Sequence, residues 1–282
     1  MDLNRAKTAL IIAFLILNAY LGYQLWYHSE IYLPYLSVTS EEVEEVVSQL
    51  EQNNYQLGMS LSRQAQAMSL LSVHALELDE GAFVQALFPD GEPLRTAGEE
   101  GTRYAYEGAH LLFPGKGRVL YRVSPLPPLQ AGEELDLQRL GEEYLQEKGI
   151  FPSDVRFGGI FPGEEEEKTV TFFQIHEGFS LYTSYINLHF SGDHVTGFDL
   201  FLLEPLELSS ESRYVLPATQ ALLRFLEIKG PAPLRQEITG MNLGYFSEDY
   251  DAQKWDVVPV WRISGGGWAV YLNAFSGEEE KN

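Results

Sequence analysis

The sequence lacks cysteine and has little positive charge. Its 282 residues include no Cys, and 19 Lys and Arg stand against 41 Asp and Glu, so the formal net charge is -22. Without cysteine, the chain forms no disulfide, uses no thiol mechanism and carries no lipobox-type lipid anchor. Its acidity repels nucleic acid and anionic lipid headgroups, which excludes nucleic acid as an expected partner.

Catalytic motifs are missing as well. The chain has no GxSxG nucleophile elbow, no GxxxxGK[ST] phosphate loop and no HExxH metalloprotease helix. We therefore expect a protein that is not an enzyme, with no catalytic residues, no cofactor and no metal.

Apolar residues are plentiful. They make up 45% of the chain, including 16 Tyr and 16 Phe, which is ample material for a packed core. The acidic residues therefore belong to a folded surface and not to a disordered chain.

One long apolar run, ALIIAFLILNAYLGYQLWY, occupies residues 9–27. As a helix it would be roughly 28 Å long, close to the ~30 Å hydrocarbon thickness of a bilayer, so it predicts a transmembrane helix. Arg5 and Lys7 precede it, which places residues 1–8 in the cytoplasm and the bulk of the chain outside a cell membrane crossed once. Aromatic residues crowd its C-terminal half, where they suit the headgroup region.

A cleaved signal peptide is the alternative to an anchor. Cleavage needs small residues one and three places before the cut, and Ala19 preceded by Leu17 fits this rule badly. The sequence favours an uncleaved anchor.

One face of the predicted span carries residues typical of helix contacts. Asn18 is costly in hydrocarbon without a partner, Gly22 lies one turn later, and Ile11 and Leu15 complete the stripe. We predict that Ile11, Leu15, Asn18 and Gly22 bind a partner helix. The alternative is that a single Asn is simply tolerated in the span.

The rest of the chain predicts an α+β fold. A capping box at Thr39 and Glu42 begins an amphipathic helix that ends at Asn53. Residues 55–125 are rich in β-type residues cut by turns, with a strand at 119–123. A helix followed by antiparallel strands then occurs twice, with Gly149 and Gly230 closing the helices and strands near 168–176, 179–190, 195–203, 236–246, 257–263 and 268–275.

These patterns predict a transmembrane helix followed by antiparallel sheets with packed helices, including two similar helix-plus-sheet units. The predicted segments are a cytoplasmic N-terminus (1–8), the transmembrane helix (9–27), a connector (28–38), a β-rich subdomain (39–128), the first unit (129–210), the second unit (211–277) and an acidic tail (278–282). The two units can reflect a duplicated binding scaffold or repeated packing without repeated function.

Three polar or aromatic groups are candidate sites. His189, Asp193 and His194, with His176 nearby, could bind a metal, but strand alternation favours a solvated turn. The carboxylates of 164–167 and 278–280 lack the spacing of a calcium loop and indicate a solvated loop and a frayed tail. The aromatics of 179–185 could line a sugar or peptide groove, although period two also suits simple strand packing.

Both ends of the chain resemble the YycI family of regulatory proteins from low-G+C Gram-positive bacteria. The resemblance rests on MDLNRAKT at 1–8 running into the apolar segment, ITGMNLGY at 238–245, VPVWRI at 258–263 and YLNAFSG at 271–277. The last two stretches are also similar to the wider PepSY strand pattern.

The resemblance implies a single-span, non-enzymatic accessory protein. Such a protein acts with a YycH-like partner on a WalK-type sensor histidine kinase of the WalK/WalR two-component system, which governs cell-wall metabolism, and much of the contact is made by the transmembrane helix. The alternative from the residues is an extracytoplasmic ligand- or peptide-binding module with a passive membrane anchor. A third, an extracytoplasmic hydrolase, would use His189, Asp193 and His194.

Overall fold

The computed structural model describes residues 7, 11–21, 23, 38–123, 136–152, 154–163, 167–248 and 252–281. The fold is mixed α+β and mostly sheet, as the sequence predicts. Its helices are α1 at residues 11–21, α2 (Ser40–Gln52), α3 (Glu80–Leu87), α4 (Leu137–Lys148) and α5 (Ala218–Lys229). Within the described residues, no helix has both the length and the hydropathy needed to cross a bilayer. Residues 9, 10, 22 and 24–27 of the predicted span, and the connector up to residue 37, lie outside those residues.

Among the residues that the structure describes, fifteen strands form one branched sheet. They are β1 (Tyr55–Leu57), β2 (Ala67–Ala75), β3 (Leu94–Gly98), β4 (Gly101–Tyr106), β5 (Ala109–Gly115), β6 (Arg118–Val123), β7 (Val155–Pro162), β8 (Lys168–His176), β9 (Phe179–Ser191), β10 (His194–Phe201), β11 (Leu203–Tyr214), β12 (Gln236–Phe246), β13 (Trp255–Gly265), β14 (Trp268–Asn273) and β15 (Glu279–Glu280).

The main path through the sheet runs β11-β2-β13-β12-β9-β10-β6-β5-β4-β3. Strands β7 and β8 extend from β9 as one branch, and β14 and β15 extend from β13 as another. Pairing is antiparallel except where β12 meets β1 and β9. The strands after α4 and those after α5 therefore join in one sheet through β9 and β12.

The predicted capping box is present at the start of α2. The backbone N–H of Glu42 donates to the Thr39 hydroxyl at 3.2 Å, and the backbone N–H of Thr39 donates to the Glu42 carboxylate at 2.7 Å. The helix buries Val46 and Leu50, two members of the predicted apolar face, and ends at Asn53. This prediction is confirmed because capping depends on residues only three places apart.

Helices α4 and α5 end where the sequence predicts. Gly149 has a φ of 64°, a left-handed conformation that favours glycine, and its N–H donates to the Leu145 carbonyl at 3.2 Å. The Gly230 N–H likewise donates to the Leu226 carbonyl at 2.8 Å.

The two helices cover different parts of the sheet. Phe225 of α5 packs edge-on against Tyr55, with 5.0 Å between ring centroids, in a core shared with α2. On α4, Gly141 lies so close to β8 that a Cβ atom there would be 2.9 Å from the Phe172 ring. That glycine lets α4 approach the apolar face of β8 and β9.

Several elements differ from the prediction. The region 55–125 also contains a helix, α3, whose first turn is capped by the Asp79 carboxylate, which accepts from the Ala82 N–H at 3.1 Å. Strands β7 and β11 were not predicted. The predicted strand at 195–203 is two strands, because β10 ends at Phe201 and β11 begins at Leu203.

The acidic end of the chain is ordered and not frayed. Residues Glu279 and Glu280 form β15 against β14, and the Lys229 ammonium contacts the Glu279 carboxylate at 2.5 Å. The Asn273 amide donates to the Glu280 carboxylate at 2.8 Å. These partners explain the order, because each carboxylate gains a donor that consecutive sequence positions do not reveal.

The predicted segment boundaries stay predictions. The boundary expected at residues 128–129 lies outside the described residues, which omit 124–135. Strand β2 from the predicted first subdomain pairs with β11 and with β13, and β6 pairs with β10.

Candidate functional site

The structure places three of the four predicted partner-binding residues on α1. Ile11 and Leu15 are 59% and 63% exposed, and the Asn18 side-chain amide donates to the Phe14 carbonyl at 2.9 Å. This bond lies within the helix, so it partly satisfies the polar group without a second chain. Gly22 lies outside the described residues. A partner-binding role for this face stays a prediction.

The alternative metal ligands separate into different pairs. His189 bonds to Asp199 of β10, whereas His194 contacts Asp193 at 3.4 Å in the exposed turn between β9 and β10. Among the described residues, no group of three or more His, Asp or Glu side chains is arranged to hold a metal ion. Residues 164–166 of the acidic run are not among them.

A polar network crosses three neighbouring strands on one face of the sheet. Thr171 of β8 donates to the Asn187 side-chain oxygen at 2.7 Å, and the Asn187 amide donates to Asp199 at 3.0 Å. His189 Nε2 lies 2.5 Å from the other Asp199 oxygen, and Thr169 contacts His189 Nδ1 at 3.2 Å. Cross-strand pairing sets this arrangement, because Thr171 lies opposite Asn187 and Asn187 opposite Asp199.

Asp199 is the charged centre of the network. Partial burial alone raises the pKa of its carboxyl, but the hydrogen bonds from His189 and Asn187 outweigh that effect. The positive charge of Arg122, whose guanidinium lies 3.6 Å from Asp199, acts in the same direction. The pKa of Asp199 therefore lies below the usual carboxyl value, and this residue stays ionised.

The same face borders a cavity of about 500 Å³ between strands β7 to β9 and the β13–β14 hairpin. Three polar side chains of the network, those of Thr169, Thr171 and Asn187, line one part of it. Aromatic side chains dominate the rest, and the lining contains no charged side chain. The other lining residues are Phe161, Phe173, Tyr182, Tyr185, Gly267, Trp268, Ala269 and Tyr271.

A buried arginine lies behind the aromatic wall. The Arg262 residue is 6% exposed, and its guanidinium lies 5.4 Å from the Phe173 ring centroid and 5.8 Å from that of Tyr182. It donates to the Gly158 carbonyl at 2.7 Å and to the Ser264 hydroxyl at 3.1 Å. Arg262 thus connects β13 to β7 and holds two of the rings in place.

Burial also changes the pKa of a tyrosine in this wall. It raises the pKa of Tyr182 far above the usual phenol value, although the charge of Arg262 opposes the shift. The phenol is therefore neutral, and it donates to the Asn242 carbonyl at 3.3 Å. With hydroxyl and amide groups beside aromatic rings, the cavity suits hydrogen bonding and ring contacts.

Residues 153–271 match the family model described as YycI protein. Over this region the chain is similar to the YycI family. The match confirms the resemblance to this family and contains the motifs at 238–245 and 258–263, whereas residues 1–8 lie outside it. It also includes every residue that lines the cavity, as well as Asp199 and Arg262. No curated protein sequence matches the chain.

Two solved structures with TM-scores of 0.50 or more share the fold at low sequence identity. An uncharacterized protein from Eubacterium rectale has a TM-score of 0.53 at 11% identity, covering 85% of this chain and 99% of that one. YycH from Bacillus subtilis has a TM-score of 0.50 at 15% identity, covering 75% of this chain and 53% of that one. The C-terminal domain of Bacillus megaterium YpeB has a TM-score of 0.40 at 14% identity, covering 73% of this chain and 97% of that one.

Most of the residues that line the cavity could not be predicted from the sequence. The sequence pattern singled out the aromatics of 179–185, of which Tyr182 and Tyr185 line the cavity, while Phe179 packs against Tyr245 at 6.0 Å. A signal was present in β8, where Thr169 and Thr171 alternate with apolar residues and mark a polar face. Trp268 and Tyr271 have no comparable sequence pattern, because only the tertiary fold brings the β13–β14 hairpin to the same cavity as β8.

Proposed function

We propose that this protein is a membrane-anchored, non-enzymatic accessory regulator of a WalK-type sensor histidine kinase that controls cell-wall metabolism. The match of residues 153–271 to the YycI family carries this proposal, because that family is one of regulatory accessory proteins. Fold similarity to Bacillus subtilis YycH supports a protein of the same architectural kind, and a YycH-like protein is the proposed partner beside the kinase.

The proposed working surface is the apolar run at residues 9–27. It crosses the membrane once with the N-terminus in the cytoplasm, and its Ile11, Leu15, Asn18 and Gly22 face packs against a helix of the kinase. Support comes from the length of the run, its basic N-terminal flank and the polar and small residues on one face. The acidic remainder of the chain is extracytoplasmic and includes the two PepSY-like units.

The test replaces residues 9–27 with an unrelated spanning helix in the full chain. Kinase, partner and either version of the chain are reconstituted in vesicles, and phosphate transfer from kinase to response regulator is measured. We expect the native chain to change this rate and the exchanged chain to lose the effect while still inserting. Equal effects from both versions contradict the helix-contact mechanism.

A single substitution sharpens the test. Asn18→Leu keeps the run apolar but removes the polar contact, so the regulatory effect should fall if Asn18 faces the kinase. Gln24→Leu is the matched control, because six residues of helix place Gln24 on a different face. If the two variants behave alike, the proposed face is wrong.

A second candidate function follows from the cavity. Its volume of about 500 Å³, its aromatic wall and its three convergent polar side chains are typical of a small-molecule site. In this case the outer domain binds a ligand or peptide and the anchor is passive. This function predicts that the chain with an exchanged span keeps its activity.

A further inference from the structure

We propose that the cavity between β7–β9 and the β13–β14 hairpin binds a neutral saccharide. This inference rests on the second candidate function, and it names the class of ligand. Ring contacts, hydrogen-bonding groups and the distribution of charge each restrict the choice.

The aromatic wall favours a ligand with flat apolar faces. Phe161, Tyr185 and Trp268 are partly exposed rings of the lining. The other rings of the lining pack on one another or on the core, with Phe173 against Tyr182 at 5.1 Å and Tyr271 stacked on Phe246 at 4.6 Å. Aromatic rings present a negative face and attract the weakly positive C–H groups that cover the two faces of a sugar ring. The exposed parts of these rings are therefore suited to contact a sugar ring.

The polar edge favours hydroxyl or amide groups on the same ligand. Asn187 and Thr171 point into the cavity and also bond to each other at 2.7 Å, and Asp199 holds the Asn187 amide at 3.0 Å. Side chains held by such partners are pre-organised, so ligand binding loses little rotamer entropy. Asn187 retains one amide hydrogen for a ligand, since a carboxamide has two.

The distribution of charge argues against cationic and anionic ligands. The lining has no charged side chain, so an ionic ligand would lose hydration without gaining a counter-charge. A cation is also opposed by Arg262, which already lies against the rings of Phe173 and Tyr182. An anion is opposed by the net charge of -22. A neutral ligand is what remains.

The size of the cavity sets the length of the saccharide. About 500 Å³ lies in the lower half of the range for small-molecule sites, roughly 300 to 1,000 Å³. A mono- or disaccharide suits this volume, and a longer glycan would extend out of the open side.

The test measures binding to the purified full chain by titration calorimetry and by tryptophan fluorescence. N,N′-diacetylchitobiose and cellobiose are the neutral saccharide probes, choline is the cationic probe, and a capped neutral dipeptide is the peptide probe. We expect saturable binding of at least one saccharide and none of choline or the dipeptide. Tighter binding of either of the latter overturns the proposal, as does an absence of saccharide binding up to millimolar concentrations.

Two matched substitutions test whether the saccharide binds in this cavity. Ala269→Trp fills this cavity and should lower saccharide affinity by roughly tenfold or more, whereas Ala252→Trp makes the same change in a second cavity beside His74 and Lys116 and should leave affinity unchanged. Thr171→Val, which keeps the shape but removes one hydroxyl, should weaken binding several-fold. Circular dichroism confirms that each variant is folded.

The outcomes separate this inference from the regulatory proposal. Saccharide binding that survives Ala269→Trp overturns the site even if the chain regulates a kinase. Loss of kinase regulation on exchange of residues 9–27, with saccharide binding unchanged, supports the helix mechanism and contradicts a passive anchor, while the saccharide site itself stands.

Discussion

His189 of β9 and Asp199 of β10 are joined by a contact of 2.5 Å between Nε2 and a carboxylate oxygen, although the two residues are ten positions apart in the chain. Their side chains are only 16% and 22% exposed. Asn187 and Arg122 approach the same carboxylate from either side, so a charge that would be costly at this depth has three partners.

This contact predicts a pH-dependent contribution to stability. The pKa of Asp199 is lowered in the folded protein, so its stabilising effect is present above the ordinary carboxyl pKa of about 3.9 and is lost as the pH falls through the lower, folded-state pKa. Asp199→Asn should reduce the free energy of unfolding by about 1 to 3 kcal/mol at pH 7. Urea unfolding at a series of pH values measures the difference, which should shrink below about pH 4.

Asp193→Asn is the control for that experiment. Asp193 contacts His194 at 3.4 Å, and both side chains are more than 40% exposed, so its removal should change stability little. If Asp193→Asn and Asp199→Asn reduce the free energy of unfolding equally, the buried network does not stabilise the fold more than an exposed ion pair does.

Replacing Gly141 even with alanine should destabilise the fold. An alanine in a helix interior is normally favourable relative to glycine by roughly 1 kcal/mol. Here its Cβ would lie 2.9 Å from the Phe172 ring and 3.3 Å from Leu188, so α4 would have to move away from the sheet. We expect Gly141→Ala to destabilise the fold by about 1 to 3 kcal/mol in thermal or urea unfolding.

A double mutant checks that cause. If the Phe172 ring is responsible, Gly141→Ala should cost less in a Phe172→Leu background than in the native one. Additive effects would show that the cost arises elsewhere.

Arg262 should hold β7 in place. Arg262→Met leaves the Gly158 carbonyl without its donor and should cost about 1 to 3 kcal/mol of unfolding free energy. Arg262→Lys should restore only part of the lost stability, because a single ammonium group cannot reproduce the two guanidinium hydrogen bonds to Gly158 and Ser264. Hydrogen exchange should accelerate at the amides of β7 in both variants.

Arg224→Met provides the comparison for Arg262. Arg224 pairs with Glu227 at 2.6 Å on the surface of α5, with more than half of each side chain exposed. Its loss should be nearly neutral. Unchanged exchange in β7 after Arg262→Met would refute the proposed connection.

The hydrogen bonds that cap α2 should contribute to the free energy of unfolding. Thr39→Ala removes the acceptor for the Glu42 N–H and should reduce the free energy of unfolding by about 1 kcal/mol. Thr39→Ser retains the acceptor and should restore most of the loss. Equal stability of the two variants in thermal unfolding would contradict a capping role.

The helices and many strands could be predicted because their signals are local. Thr39 and Glu42 act over three residues, and Gly149 ends α4 through a bond to Leu145 four residues earlier. Strand β11 was not predicted because all of its residues except Leu203 are at least partly exposed and its pairing with β2 is irregular near Leu208. A strand of this kind lacks the alternation of apolar and polar residues that sequence reasoning uses.

The acidic surface, the apolar run at 9–27, the α+β class and the ends of α2, α4 and α5 follow from the amino-acid sequence, because composition and short-range hydrogen bonds suffice for each. Strand neighbours follow instead from tertiary packing, because they depend on how distant apolar faces are buried together. Arg262 reaches Gly158 across 104 residues of chain, and Trp268 and Thr171 come to line the same cavity although they are far apart in sequence. The cavity exists only through such long-range pairings.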